Sequence, residues 1–70
     1  MIIWFLDCGN SCVTKVNLSA EREQELDNYL NEEGGDMYDW LSLHEDEFGV
    51  NLNTSSWMIA ESDKVFEVDF

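Results

Sequence analysis

The side chains best suited to metal or redox chemistry are two cysteines and one histidine. Cys8 and Cys12 are separated by three residues, whereas a redox-active dithiol typically has two residues between its cysteines, just before a helix. A structural zinc site takes four protein ligands, and His44 is the single imidazole available to join the two thiolates. The sequence therefore predicts no metal and no cofactor, and two reduced thiols beside a turn.

The residue sets for hydrolysis and for calcium binding are also incomplete. Ser42, His44 and the neighbouring carboxylates do not form a nucleophile, base and orienting-acid arrangement. Residues 31–36 supply oxygen ligands but lack the alternating spacing and the distal glutamate of an EF-hand loop. A helix that ends at two glycines explains this segment, so we expect that the protein is not an enzyme.

Carboxylates dominate the charge of the chain. Sixteen Asp and Glu residues face three Lys and Arg residues in a chain of 70, which gives a formal net charge of -13 at pH 7. Repulsion among these carboxylates destabilises the free protein, and a basic partner would relieve it. Because an acidic surface repels nucleic acid, we expect a basic protein partner and no direct binding of DNA or RNA. The alternative is an acidic surface that serves solubility.

The carboxylates that we expect to meet this partner lie on two predicted helices and in the loop between them. They are Glu21, Glu23, Glu25, Asp27, Glu32, Glu33, Asp36, Asp39, Glu45, Asp46 and Glu47. Ordinary helix faces mix charges of both signs, so the near-absence of lysine among these residues favours a binding surface. Tyr38 and Trp40 are candidate apolar anchors, although the sequence pattern also fits Trp40 in the core.

Four short segments have the composition of β-strands. Residues 2–6 form a continuous apolar run, and residues 13–16 follow after a turn, which predicts a hairpin. Residues 56–60 predict a third strand, and residues 66–70 alternate apolar and acidic side chains as a strand with one wet face does. The segment 64–70 is also a candidate edge strand for pairing in a homodimer.

Two helices are predicted between these strand pairs. Ser19 is a suitable N-cap for the first helix, whose apolar stripe includes Leu26 and Tyr29 and which should end at Gly34-Gly35. Asp36 can cap the second helix, whose stripe runs from residue 37 to residue 48. The prediction is one α+β domain covering residues 1–70. Its antiparallel sheet has about four strands in the order β-β-α-α-β-β, with both helices on one face.

The apolar segments are too short to cross a membrane. The longest run covers residues 1–6, whereas a spanning helix needs about 20 residues. This run also lacks the basic flank and the cleavage site of a signal peptide. We therefore expect a cytoplasmic protein that does not contact membranes.

In size and charge the chain resembles the acidic inhibitors that phages encode against host DNA-handling enzymes. These are anti-CRISPR proteins, anti-restriction proteins and inhibitors of uracil-DNA glycosylase. The resemblance covers bulk properties and no motif. It implies an inhibitor in the host cytoplasm that occupies a basic nucleic-acid-binding surface by charge mimicry. Two alternatives stay open: an immunity or antitoxin-like protein that neutralises a basic toxin, and a structural adaptor or homodimer with an acidic surface.

Overall fold

The computed structural model describes all 70 residues, and its sheet has three strands. These are β1 (Ile2–Asp7), β2 (Cys12–Asn17) and β3 (Ser55–Ala60). β1 is central in the order β2-β1-β3, and both pairings are antiparallel. Because side chains alternate along a strand, Ile3, Phe5 and Asp7 share one face, and all three are buried. We call this the helix-facing side, and we call the opposite side the open face.

Three helices connect β2 to β3, namely α1 (Ala20–Asn31), α2 (Met37–Leu43) and α3 (Glu45–Phe48). The Ser19 hydroxyl caps α1 by accepting a hydrogen bond from the Arg22 N–H at 3.3 Å. The Asp36 carboxylate caps α2 by accepting one from the Asp39 N–H at 2.8 Å. Both predicted N-caps are therefore confirmed.

The second predicted helix is two helices in the structure. The chain leaves helical geometry at His44, where φ is -112° and ψ is 11°, and α3 then adds one further turn. Gly49 ends α3 with a φ of 69°, a left-handed conformation that glycine adopts without steric cost. The apolar stripe continues across the break, which explains why the sequence predicted one continuous helix.

Gly35 allows the close turn between α1 and α2. α1 ends at Asn31, earlier than predicted, and the Gly35 N–H donates a hydrogen bond to the Tyr29 carbonyl at 3.3 Å. A Cβ atom at position 35 would collide with the Tyr29 ring. The glycine pair therefore lets the chain pass directly over the last turn of α1 before α2 begins.

The fourth strand predicted at residues 66–70 is absent, so that prediction is wrong. Residues 61–70, which we call the arm, form no helix or strand and are exposed throughout. Near its start, Asp63 accepts a hydrogen bond from Lys15 Nζ at 3.0 Å, which holds this part of the arm over the open face. The fold is α+β with three antiparallel strands and three helices, in the order β-β-α-α-α-β.

The core lies between the helix-facing side of the sheet and the helices. Its buried residues are Ile3, Phe5, Leu18, Leu26, Trp40, Leu41 and Leu52. Trp40 is 1% exposed, and its ring centroid lies 4.4 Å from that of His44 and 5.9 Å from that of Phe48. Trp40 is therefore a core residue and not an exposed anchor, whereas Tyr38 is 48% exposed.

Asp7 is the one buried acidic side chain, and it joins two loops at one end of the sheet. Its carboxylate accepts hydrogen bonds from Asn10 N at 3.0 Å, Asn10 Nδ2 at 2.8 Å and Thr54 Oγ1 at 2.9 Å. These bonds, the one from the Asn10 side chain foremost, lower the pKa of Asp7 below its usual value. Its role is structural, because it ties the turn after β1 to the loop before β3. No helix in the protein has the length and apolar composition that a membrane span requires.

Candidate functional site

The carboxylates singled out from the sequence fall into two groups in the structure. One group has hydrogen-bond or ion-pair partners within the chain: Glu23, Glu25, Asp36, Glu45 and Glu47. The other group is exposed, and the structure gives its side chains no such partner: Glu21, Asp27, Glu32, Glu33, Asp39 and Asp46. The second group keeps its charge uncompensated and is therefore the part of the predicted surface best able to bind a cation.

The first group includes a network that joins α1 to the junction of α2 and α3. His44 Nε2 lies 3.1 Å from Glu25 Oε1, and His44 Nδ1 lies 3.2 Å from Glu47 Oε2. The Arg22 guanidinium contacts both of these carboxylates, at 3.4 Å in the case of Glu25. The single arginine and the single histidine of the chain are thus both used here. We infer that Glu25 and Glu47 mainly hold the helices together.

The remaining partners in this group are local. Glu23 Oε1 lies 3.4 Å from the amino group of Met1, next to the start of β1. Glu45 Oε2 accepts a hydrogen bond from the Leu52 N–H at 3.0 Å, which fixes α3 to the loop before β3. Asp36 serves as the N-cap of α2. These three residues are therefore less available to a partner than the sequence indicated.

A groove of about 340 Å³ lies between α1 and α2. Its lining residues are Glu25, Asn28, Tyr29, Glu33, Trp40, Leu43 and His44. Carboxylates beside aromatic rings are the combination that attracts a guanidinium or an ammonium group, through ion pairing together with cation–π contact. The groove therefore has the chemistry to accept an arginine or lysine side chain from another protein.

The pKa of the Tyr29 phenol depends on the negative charges around this groove. Its partial burial, followed by the charges of Asp39, Glu33 and Asp36, raises the pKa of Tyr29 above its usual value. Asp39 and Glu33 belong to the group without internal partners. Carboxylates from the end of α1, the connecting loop and the start of α2 are therefore brought together around one aromatic ring.

We expect that removing two of these charges will lower the pKa of Tyr29. In a Tyr38→Phe background, which leaves Tyr29 as the one tyrosine, Glu33→Gln with Asp39→Asn should shift its ultraviolet titration to lower pH. The reason is that fewer negative charges then oppose the phenolate. Glu61→Gln with Asp69→Asn removes the same net charge from the arm and is the matched control. An equal shift in both variants would show that the effect reflects net charge and not the groove.

Sequence reasoning did not assign four of the groove residues to the site. Tyr29 and His44 were placed on apolar stripes, and Asn28 and Leu43 were not singled out at all. A helical stripe shows which side of a helix faces inward, but the residues at its border line the cleft between two helices. Asn28 and Leu43 lie at such a border because of the way α1 packs against α2. This packing cannot be predicted from the local sequence pattern.

Cys8 and Cys12 are free and exposed on either side of the β1–β2 turn. The structure contains no group of three or more His, Cys, Asp or Glu side chains arranged to hold a metal ion. The expectation that the two thiols are reduced and have no metal or redox role stays a prediction.

The chain matches no protein-family model, no curated protein and no solved structure. Its function is accordingly inferred from the geometry and charge of its own surface. The features that bear on it are the carboxylates without internal partners and the aromatic groove that two of them border.

Proposed function

We propose that the protein is a stoichiometric inhibitor that binds a basic, nucleic-acid-binding surface of another protein and blocks that surface by charge mimicry. The observation that carries the proposal is the set of exposed carboxylates that lack an internal cation, grouped on α1, α2 and the loop between them. A nucleic-acid-binding groove displays arginine and lysine residues that contact phosphates. Carboxylates on a rigid pair of helices can engage the same cations.

Two helices are needed for this mimicry because one helix carries too little charge. Carboxylates four residues apart are separated by about 6 Å along a helix, whereas duplex DNA carries one charge per roughly 1.7 Å of its axis. Glu21 and Asp27 lie on α1 and Glu32 directly after it, whereas Asp39 lies on α2 and Asp46 on α3. Together they give a broader patch than a single helix face supplies.

The groove between α1 and α2 gives this patch a specific anchor point. An arginine from the partner would meet the Glu33 carboxylate and the ring of Tyr29. Hydrogen bonds between charged groups are stronger than neutral ones, and exclusion of water from a cleft strengthens them further. The cleft is held before binding by the network that joins Arg22, His44, Glu25 and Glu47. Binding therefore loses little conformational entropy at this site.

A second aromatic residue of α2, Tyr38, supports a role for this helix in binding. It is 48% exposed and lies on α2, on the helix that forms one wall of the groove. Exposed tyrosines are frequent anchors at protein interfaces because they bury a large apolar ring and keep a polar tip. We therefore place Tyr38 at the rim of the proposed interface.

The direct test is inhibition of purified nucleic-acid enzymes that have basic grooves. CRISPR effector complexes, restriction endonucleases and uracil-DNA glycosylase would each be titrated with the protein. We expect at least one to be inhibited at about one molecule per site, with affinity that falls about tenfold or more from low to high salt. Duplex DNA bound beforehand should delay the inhibition, because both ligands need the same cations.

Two results would contradict the proposal. One is a panel in which no enzyme is inhibited. The other is an inhibited enzyme whose affinity for the protein barely depends on salt and which still binds its nucleic acid in the complex. A basic toxin held without competition from nucleic acid would assign the acidic surface to an immunity protein instead.

A further inference from the structure

The open face of the sheet is largely apolar, and none of the strand residues on it is acidic. The side chains that share it are those of Ile2, Trp4, Leu6, Val13, Lys15, Asn17, Ser56, Met58 and Ala60. Leu6, Val13 and Met58 are 46%, 61% and 55% exposed. A contiguous exposed apolar face of this kind typically marks an interface. It lies on the side of the sheet opposite the helices and their acidic surface.

The arm begins on this face and then leaves it. Lys15 Nζ bonds to Asp63 at 3.0 Å and lies 5.8 Å from the centroid of the Trp4 ring. Lys64 and Val65 then line a shallow apolar depression of about 290 Å³, whose other lining residues are Trp4, Leu6, Val13 and Met58. The start of the arm is therefore held against the open face of the sheet.

Beyond Val65 the apolar side chains of the arm lie outside the core. Phe66, Val68 and Phe70 are exposed, and Lys64 Nζ lies 4.9 Å from the centroid of the Phe66 ring. The molecule measures 48 × 25 × 17 Å, and its radius of gyration is 13.3 Å, compared with about 11 Å for a compact chain of this length. The arm thus extends away from the fold with alternating apolar and acidic side chains, the pattern of a strand that lacks a neighbour.

We propose that the open face and the arm together form a homodimer interface. Two copies pack with their open faces together around a two-fold axis. Each arm lays Phe66, Val68 and Phe70 across the second copy. Such an isologous contact is the commonest way in which identical chains associate.

The distribution of charge favours a second copy of this chain as the occupant. Two copies with a formal net charge of -13 each repel one another, and contact through the open faces keeps the carboxylates of the helices apart. Two of the three basic side chains, Lys15 and Lys64, lie at this face. In the proposed dimer, Glu67 and Asp69 of one arm are the acidic side chains that could meet these lysines of the other copy.

The area of the open face shows why the arm is required. Three strands about 4.8 Å apart, with six residues each at about 3.3 Å, give a flat area of roughly 280 Å². A stable interface buries about 800 Å² on each partner. A buried phenylalanine contributes about 150–250 Å², so Phe66 and Phe70 with the rest of the arm bring the contact into the usual range.

The dimer and the proposed inhibitory surface are independent of one another. The acidic helices point outward in both copies, because the sheets meet through their opposite faces. Salt should also affect the two interactions in opposite directions. Screening reduces the repulsion between like copies and strengthens the dimer, whereas it weakens binding to a basic partner. Failure of one proposal therefore leaves the other testable.

The test is the molar mass of the full chain in solution, by sedimentation velocity over a range of concentrations and at two salt concentrations. We expect twice the chain mass of 8.1 kDa, with a dissociation constant that falls as salt is added. Phe66→Ser with Phe70→Ser, and separately Met58→Glu, should each raise that constant by about a hundredfold or more, as when aromatic anchors or apolar contacts leave an interface. Glu21→Lys with Asp27→Lys, on α1, should leave the dimer intact. Circular dichroism confirms that each variant is folded.

Three results would overturn the proposal. The first is a chain that stays monomeric at high concentration and high salt, which would mean that the arm covers its own sheet or remains solvated. The second is a dimer that both arm substitutions leave unchanged. The third is a dimer that Met58→Glu leaves unchanged, because a dimer of that kind would form through a strand edge or through the helices.

Discussion

Replacing Trp40 with alanine is expected to make the protein unfold at a much lower urea concentration than the original chain does. Trp40 is 1% exposed and packs against His44 and Phe48. Deleting a buried aromatic side chain typically costs about 3–5 kcal/mol, and a domain of this length has a free energy of unfolding of roughly 4–10 kcal/mol. The substitution therefore removes a large part of the free energy of unfolding. Urea unfolding followed by far-ultraviolet circular dichroism measures it.

Tyr38→Ala is the matched control for this substitution, because it also removes an aromatic ring from α2. Tyr38 is largely exposed, so its replacement should change the free energy of unfolding by about 0.5 kcal/mol or less. If Trp40→Ala were as stable as Tyr38→Ala, the core assigned here would be wrong. Trp40 would then be better explained as a residue that meets a partner.

The helices were predictable from sequence because their signals are local. Ser19 and Asp36 cap helices wherever a suitable periodic segment follows within a few residues. The stripe through Leu26 and the stripe through Trp40 both face the core, as their spacing indicated. The first three strands were also predicted, to within one residue at each end.

The arm was mispredicted because a strand is not a local structure. The alternation at residues 66–70 describes a segment that is able to form a strand, but a strand exists only where a neighbour supplies hydrogen-bond partners. That neighbour is missing within this chain, since the contact between Lys15 and Asp63 directs the arm over the open face. In the proposed dimer, a second copy supplies the surface against which the alternating side chains of residues 66–70 pack.

The sequence predicted an acidic surface on the helices, but it did not predict which carboxylates of that surface lack an internal partner. The charge count showed that many carboxylates must lack a cation. Which ones lack it depends on where Arg22 and His44 reach, and Arg22 pairs with Glu47 across 25 positions of sequence. The pairs with a spacing of three, Arg22 with Glu25 and His44 with Glu47, were readable as helix neighbours. The long-range pair required the fold.

Reversing two charges at the groove is expected to weaken the complex with an inhibited enzyme by about a hundredfold or more, or about 2.7 kcal/mol. The variant is Glu33→Lys with Asp39→Lys, which places cations where the partner's arginine or lysine would bind. Like charges brought together at an interface cost several kcal/mol. Because neither carboxylate has an internal partner, the fold should keep its stability, and unfolding in urea checks this.

The kinetics of the same complex separate the groove from the rest of the acidic surface. Reversing Glu21, Asp27 and Asp46 together should slow association more than it speeds dissociation, since exposed charges act mainly by steering the encounter. The groove variant should also speed dissociation, because its charges are desolvated in the complex. Glu61→Lys with Asp69→Lys changes the net charge as much as the groove pair does, but on the arm, and should alter affinity by about threefold or less. If this arm variant weakened binding as much as the groove variant, total charge would govern recognition, and the cleft between α1 and α2 would have no specific role in it.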